Sequence, residues 1–290
     1  MTPNAVTRPL LPEHGGPAVM AIVNRTPDSF YDRGAAWEPD RAADAVDRAV
    51  ADGADIVDVG GVKAGPGEEV DVAEELRRVL PTITAIRNRH PDVRLSVDTW
   101  RSEVAREVCA VGIDLINDTW AGVDPRLGEV AAEFGVGIVC SHTGGAVPRT
   151  RPHRVRYTDV VADVVGEVTR QAQRHVVAGV DPARILVDPT HDFGKNTFHG
   201  LELLRRVDEL VATGWPVLMA LSNKDFVGET LGTGEVTERL EGTLAATAIA
   251  ARAGAAMFRV HEVAATRRVV NMAASIRGTR RPARTVRALA

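Results

Sequence analysis

Short apolar runs rich in β-branched residues recur along the chain, and longer stretches with the period of an amphipathic helix separate them. The runs are continuously apolar rather than alternating, which is typical of strands that are covered on both faces in a parallel sheet. The predicted strands span residues 19–24, 54–60, 94–99, 115–119, 137–142, 185–189, 216–222 and 257–262.

Helix candidates fill the intervals between these strands, and several of them end at a glycine, the usual residue after a helix C-terminus. They include residues 40–53, 72–89, 158–179 and 240–254. About eight strand–helix units in one chain of 290 residues predict an α/β fold of the (β/α)8 TIM barrel type. The pattern alone leaves a doubly wound sheet open as the alternative.

The predicted barrel forms one domain over residues 18–276, because no linker or shift in composition divides this range. Residues 1–17 are predicted to form a flexible N-terminal arm. Residues 277–290 are predicted to form a basic C-terminal tail, which suits either a solvated extension of the last helix or an arm for an anionic ligand.

Composition excludes several classes of protein. The 35 basic and 39 acidic side chains give a formal net charge of −4, so no basic face for nucleic acid is indicated. No segment is long and apolar enough to span a bilayer, and the first residues contain prolines where a signal peptide has an apolar core. The two cysteines, Cys109 and Cys140, form no CxxC motif. We therefore expect a cytoplasmic protein that binds neither nucleic acid nor a membrane.

The predicted strands end in polar or ionisable side chains, and this is the main functional signal. One such residue alone is usually a turn or a helix N-cap. Here eight strands share the feature, and in a TIM barrel their carboxyl ends meet at one mouth, where active sites lie. The side chains concerned are Asn24, Asp58, Asp98, Asn117, Asp118, His142, Asp188, Lys224, Arg259 and His261.

These side-chain types suit two kinds of ligand. A carboxylate can accept two parallel hydrogen bonds from a flat heterocycle that is rich in N–H donors. Arg259, His261 and Asn24 suit an anion instead, with or without a metal ion. A bicyclic nitrogen heterocycle that carries a phosphate group would use both sets.

Eight segments of the chain resemble, in order, motifs of the dihydropteroate synthase family, whose members join hydroxymethyl-dihydropterin pyrophosphate to p-aminobenzoate. The likeness covers roughly residues 18–276, and its segments are MAIVNRTPDSFYDRG, GADIVDVGG, PG at 66–67, LSVDTWRSEVA, LINDTW, ILVDPTHDFGKN, LSNKDF and FRVHEV. The resemblance implies a (β/α)8 barrel, usually a homodimer, that binds a small pterin substrate and holds the pyrophosphate with Mg²⁺.

The resemblance also implies a pterin pocket. Asp98, Asn117 and Asp188 match family residues that form hydrogen bonds to the pterin ring. Lys224 matches a lysine that reaches the carbonyl side of the ring, and Arg259 matches an arginine that packs over it.

Roles in catalysis follow from the same resemblance. Arg259, His261 and Asn24 are implied to hold the pyrophosphate, and Asn24 is the implied magnesium ligand. Asp32, in the first loop, matches an aspartate near the cationic pterin that forms when pyrophosphate leaves. The implied catalytic set is Asp32, Lys224, Arg259 and His261.

The acceptor side departs from the family pattern. Ala64 and Gly65 stand where the family has a threonine and an arginine that help to hold pyrophosphate and acceptor. Asp225 stands where a serine, at a helix N-terminus, receives the carboxylate of p-aminobenzoate. A second carboxylate about 4 Å from Asp225 would be repelled by roughly 1 kcal/mol in water, and by more when partly buried. Asp225 also suits a helix cap.

Three functions follow from this mixture of matches and departures. We favour a dihydropteroate synthase-like protein of folate biosynthesis that binds 6-hydroxymethyl-7,8-dihydropterin or its pyrophosphate, with ordinary synthase activity weak or absent; its acceptor would then be neutral or cationic. The first alternative is an active synthase in which Lys63, Arg25 or Arg33 replaces the missing clamp. The second is a non-catalytic pterin-binding or regulatory barrel.

Overall fold

The structure, a computed structural model, describes residues 8–13, 15–26, 39–150 and 156–287. Strands occur at all eight predicted positions. They are β1 (Ala18–Asn24), β2 (Ile56–Gly60), β3 (Arg94–Asp98), β4 (Leu115–Asn117), β5 (Gly137–Ser141), β6 (Ile185–Asp188), β7 (Leu218–Met219) and β8 (Met257–Val260).

Helices follow the strands along the chain, and the four candidates named from the sequence correspond to α1, α2, α5 and α9. The helices are α1 (Pro39–Ala51), α2 (Val72–Arg89), α3 (Ser102–Val111), α4 (Leu127–Phe134), α5 (Val160–Val177), α6 (Thr197–Arg205), α7 (Val207–Val211), α8 (Asp225–Leu231), α9 (Leu240–Ala253) and α10 (Val263–Arg277). Among these described helices, none is both long and apolar enough to cross a membrane.

The strands form a parallel sheet in the order β6-β5-β4-β3-β2-β1-β8-β7. The sheet closes where β6 meets the residues before β7: Val187 and Val217 form a parallel bridge, and the Val187 N–H donates to the Pro216 carbonyl at 2.9 Å. Sequential strand order with closure confirms the (β/α)8 barrel. A doubly wound sheet would stay open and reverse its strand order.

The core has two layers because neighbouring residues of a strand point to opposite faces. Ile56 belongs to the cluster inside the barrel, whereas Val57 belongs to the cluster between the sheet and the helices. Both side chains are fully buried. This two-sided burial explains why the strands are continuously apolar in sequence. The inner cluster also contains Met20, Leu115, Val139, Leu186, Leu218 and Met257.

Part of the predicted N-terminal arm packs against the amino ends of the strands. Leu10 joins the inner cluster and is 3% exposed. Arg94 donates to the Pro9 carbonyl at 2.6 Å, and Arg184 donates to the Arg8 carbonyl at 2.9 Å. This end of the barrel is therefore covered, and the carboxyl ends of the strands are left for a ligand.

Candidate functional site

A cavity of about 410 Å³ opens at the carboxyl ends of the strands. Its volume falls within the range of small-molecule sites, roughly 300–1,000 Å³. Most of the predicted site residues line it, namely Asn24, Ala64, Gly65, Asp98, Asp188, Lys224, Asp225, Arg259 and His261. Asn117 lies buried outside this lining, and Asp32 lies outside the described residues.

Arg259 is held between two carboxylates. Its Nε donates to Asp58 Oδ2 at 2.6 Å, and its Nη2 donates to Asp98 Oδ2 at 2.7 Å. Burial acts to lower the pKa of Arg259, but the charges of Asp58 and Asp98 outweigh burial and hold the pKa above its ordinary value. Arg259 is therefore positively charged before a ligand binds, and the carboxylates of Asp58 and Asp98 already balance its charge.

Asp58 is the anchor of this group, although sequence reasoning gave it no role beyond its place at a strand end. It is fully buried, and besides Arg259 it accepts a hydrogen bond from Asn117 Nδ2 at 3.1 Å. Its partner Arg259 is 201 positions away in the chain, so no local pattern could reveal the pair. Asn117 thus contacts the site through Asp58. Its own Oδ1 is buried without a hydrogen-bond partner among the described residues.

The two cavity carboxylates predicted to bind the pterin have raised pKa values. Burial raises the pKa of Asp188 to about 6, while a hydrogen bond from the Thr190 N–H and the charge of Lys224 oppose the shift. Burial also raises the pKa of Asp98, against the attraction of Arg259. Both groups are hydrogen-bonded within the protein, Asp98 Oδ1 accepting from the Thr119 hydroxyl at 3.1 Å. The raised values indicate carboxylates poorly solvated by water, which strengthens their hydrogen bonds to a ligand.

The two histidines of the cavity wall are uncharged at neutral pH. Burial, with the nearby charge of Arg259, lowers the pKa of His261 to about 3. Burial, with the charge of Lys195, lowers the pKa of His191 to about 3. His191 is 1% exposed, and neither ring nitrogen has a hydrogen-bond partner among the described residues. His261 is therefore neutral in the ligand-free cavity, and the negative charge of a bound pyrophosphate would raise its pKa.

Lys195 fixes the loop after β6, a role that no pattern in the sequence predicted. Its Nζ donates to the carbonyls of His142 at 2.8 Å, Phe193 at 2.9 Å and Thr190 at 3.1 Å. Burial lowers the pKa of Lys195 to about 7. Three carbonyl acceptors use all three N–H groups of the ammonium, so the lysine acts as an internal brace.

Lys224 enters the cavity but has a partner there. Its Nζ lies 3.4 Å from Asp192 Oδ2 and 5.8 Å from the centre of the Phe193 ring. Asp192 and Phe193 both line the cavity. The lysine predicted to reach the pterin is therefore paired with the carboxylate of Asp192, which was not among the predicted site residues.

Asp225 does not cap helix α8. It is the first helical residue, and Lys224 occupies the cap position. The Asp225 carboxylate instead accepts a hydrogen bond from Arg239 Nη1 at 3.0 Å, while its side chain stays 77% exposed. Arg239 also donates to the Asn223 carbonyl at 2.9 Å. The repulsion expected from Asp225 is consequently weakened by an ion pair and by solvent.

The loop after β2 carries no arginine toward the ligand. Ala64 and Gly65 line the cavity as predicted, with Lys63 beside them. Arg25 is buried outside the cavity lining, and its Nε donates to the Arg78 carbonyl at 3.4 Å. Arg25 is thus not placed to replace the missing clamp. Arg33, the other arginine predicted as a replacement, lies outside the described residues.

Asn24, the implied magnesium ligand, lies at the end of β1 in the cavity wall. Across the described ranges, no three or more His, Cys, Asp or Glu side chains are grouped to hold a metal ion. Mg²⁺ prefers oxygen ligands and commonly takes one or two of them from the protein, with substrate phosphates and water completing its shell. A single amide oxygen therefore fits an ion that arrives with a phosphorylated substrate.

Comparison with known proteins agrees with this geometry. The family model described as pterin binding enzyme matches residues 20–261. "Inactive dihydropteroate synthase 2" of Mycobacterium leprae is 67% identical over 276 residues, which cover 94% of this chain and 94% of the relative. "Dihydropteroate synthase" of Haemophilus influenzae is 38% identical over 251 residues, which cover 86% of this chain and 90% of the relative.

The solved structures include a Yersinia pestis dihydropteroate synthase with a sulfonamide drug complex. It superposes with a TM-score of 0.87 at 34% sequence identity, and the match covers 93% of this chain and 97% of that chain. The barrel is thus shared with a protein named as a synthase, while the sequence is also similar to a relative named as inactive.

Proposed function

The chain belongs to the pterin-binding enzyme family, and we propose that it is a dihydropteroate synthase paralogue that binds a hydroxymethyl-dihydropterin while ordinary synthase turnover is weak or absent. One observation carries the proposal. The cavity keeps the carboxylates of Asp98 and Asp188 beside Arg259, but Ala64 and Gly65 line it where the family pattern has a threonine and an arginine.

Pterin recognition rests on the buried carboxylates. Asp188 is 2% exposed, and its charge is offset in part by Lys224 and Lys195. A carboxylate in such surroundings pairs well with a ring edge that presents parallel N–H donors. A ligand that lacks such an edge would form no charge-assisted hydrogen bonds with Asp188, each of which is worth about 1.5–3 kcal/mol.

Loss of turnover follows from the leaving-group side. A departing pyrophosphate needs fixed donors and cations that stabilise its growing charge. Ala64 and Gly65 supply none from their side chains. Arg259, His261 and Asn24, which match the family pattern, all line the cavity, so the deficit lies in the loop after β2. Removal of a single such donor commonly slows an enzyme by about 10²–10³-fold.

We propose that Mg²⁺ binds together with the pyrophosphate group of the substrate. Asn24 would offer it one amide oxygen, and the ion would supply positive charge against a pyrophosphate group. Nothing else in the proposed pterin recognition depends on the metal.

We further propose a cytoplasmic homodimer. Helices α9 and α10 pack together and expose three large apolar side chains. Ile249 of α9 is 56% exposed, and Met272 and Ile276 of α10 are each 63% exposed. Large apolar side chains in this position suit a subunit contact. Cys109 and Cys140 are both buried and unpaired, which is usual in a reducing cytoplasm.

Calorimetric titration with 6-hydroxymethyl-7,8-dihydropterin pyrophosphate in Mg²⁺ tests the proposal. We expect binding by the native chain and at least a hundredfold weaker binding by Asp188→Ala, because the variant loses charge-assisted hydrogen bonds worth about 3 kcal/mol. Asp208→Asn, which removes an exposed charge on α7, is the control and should bind like the native chain. Equal affinity of Asp188→Ala and the native chain would refute the pocket.

A further inference from the structure

The turn over residues 190–193 places an acidic side chain inside the cavity. Asp192 lies in this turn, lines the cavity and sits 3.4 Å from Lys224 Nζ. Both side chains of the pair are mostly shielded from water, at 27% and 17% exposed. The pair is therefore less screened than an ion pair on the surface.

The turn holds Asp192 in place from both sides. Thr190 has a φ of +50°, an unfavourable conformation for a β-branched residue. It is retained because the Thr190 N–H donates to Asp188 Oδ1 at 2.7 Å and the Phe193 N–H donates to the Thr190 carbonyl at 3.1 Å. Lys195 binds the carbonyls of Thr190 and Phe193, the residues that bracket Asp192 and its neighbour His191. Asp192 is thus fixed by the fold and is not a surface side chain that happens to meet Lys224.

One wall of the cavity beside this pair is apolar and aromatic. Trp120 and Phe193 meet edge to face with their ring centres 4.8 Å apart. They belong to one apolar cluster with Val62, Ala64 and Ala146, and all five line the cavity. A flat aromatic ring would bury its faces against this wall, while a substituent at its edge would meet Asp192 and Lys224.

We propose that Asp192 is an internal counter-ion for Lys224 and that it makes this compartment selective for an aromatic amine without an acid group. An entering carboxylate would have to displace Asp192 from Lys224 and then remain close to its negative charge. An uncharged ring leaves the pair intact and still gains the apolar contacts. The proposal rests on the proposed function, because the compartment belongs to the same cavity as the pterin site.

Two matched probes test the charge preference, 4-aminobenzoate and 4-aminobenzamide. They share a ring and an amine and differ in the charge of the group opposite the amine. Dissociation constants are measured for both with the native chain and with Asp192→Asn, which keeps the shape of the side chain and removes its charge. The titrations are done with 6-hydroxymethylpterin present.

We expect the native chain to bind 4-aminobenzamide at least about fivefold more tightly than 4-aminobenzoate. In Asp192→Asn, 4-aminobenzoate should gain about tenfold, the change that corresponds to about 1.4 kcal/mol, and 4-aminobenzamide should change by less than about twofold. Asp208→Asn removes the same charge from the outside of the barrel and should leave both constants unchanged.

Three results would overturn the proposal: a native preference for 4-aminobenzoate, an unchanged ratio of the two constants in a folded Asp192→Asn, or no binding of either probe at millimolar concentration. None of these three results contradicts the proposed function if the native chain still binds the pterin pyrophosphate. Loss of pterin binding by the native chain would instead refute the proposed function.

Discussion

At the scale of single residues, the site is a set of charges that satisfy one another. Asp58 and Asp98 share Arg259, Asp192 pairs with Lys224, and each partner comes from a different strand end or loop. The residue types were visible in the sequence, and the strand-end carboxylates were predicted to converge. The pairing was not visible, because ion pairs between strands depend on the closed barrel and not on spacing along the chain.

The Asp58–Arg259 pair should matter for stability as well as for the site. We predict that Asp58→Asn lowers the free energy of unfolding by about 2 kcal/mol, since it removes a charge-assisted hydrogen bond from a buried guanidinium that keeps only Asp98. Urea denaturation of the variant and of the native chain measures this difference. Asp208→Asn, at an exposed position, should change stability by less than about 0.5 kcal/mol. Equal loss in both variants would show that Asp58 is not the anchor of the group.

At the scale of elements, the sequence predicted the existence of the strands more accurately than the residues at which they end. The apolar runs identified all eight strands because burial on both faces leaves a continuous signal. Within the run 216–222, however, only Leu218–Met219 form a regular strand, and Val217 adds a single bridge to Val187. The later residues of the run leave the sheet, and Asn223 then adopts a φ of +55°. Residues at the cavity end of a strand can leave the β-ladder and lose its backbone hydrogen bonds while they position side chains in the cavity. Because these residues can still be apolar, the hydrophobic pattern does not predict where the paired strand ends.

Helix α8 illustrates the same limit. The sequence suggested that Asp225 both caps this helix and repels an acidic acceptor, but in the fold it is paired with Arg239 and largely exposed. We therefore predict that Asp225→Ser tightens 4-aminobenzoate binding only slightly, by less than about threefold, because solvent and Arg239 already screen the charge. Calorimetry compares this gain with that of Asp192→Asn. A larger gain in 4-aminobenzoate affinity for Asp225→Ser would show that Asp225 repels an acidic acceptor, as the sequence suggested.

At the scale of the whole molecule, the barrel is retained, and the proposed change in chemistry involves side chains at its mouth. The closed sheet has a two-layer core, and the chain superposes on the Yersinia pestis synthase with a TM-score of 0.87. The departures expected from the sequence that fall on described cavity residues lie in the loops after β2 and β7, at Ala64, Gly65 and Asp225. Such loops tolerate change without loss of the fold, because the barrel itself supplies the stability.

The central claim is that this barrel binds its pterin without ordinary turnover. The most direct test is release of pyrophosphate at saturating 6-hydroxymethyl-7,8-dihydropterin pyrophosphate, p-aminobenzoate and Mg²⁺, with the Haemophilus influenzae synthase assayed alongside. We predict a turnover at least about 100-fold lower than that of the reference enzyme, from the lost anion-stabilising groups. Turnover equal to that of the reference would contradict the account.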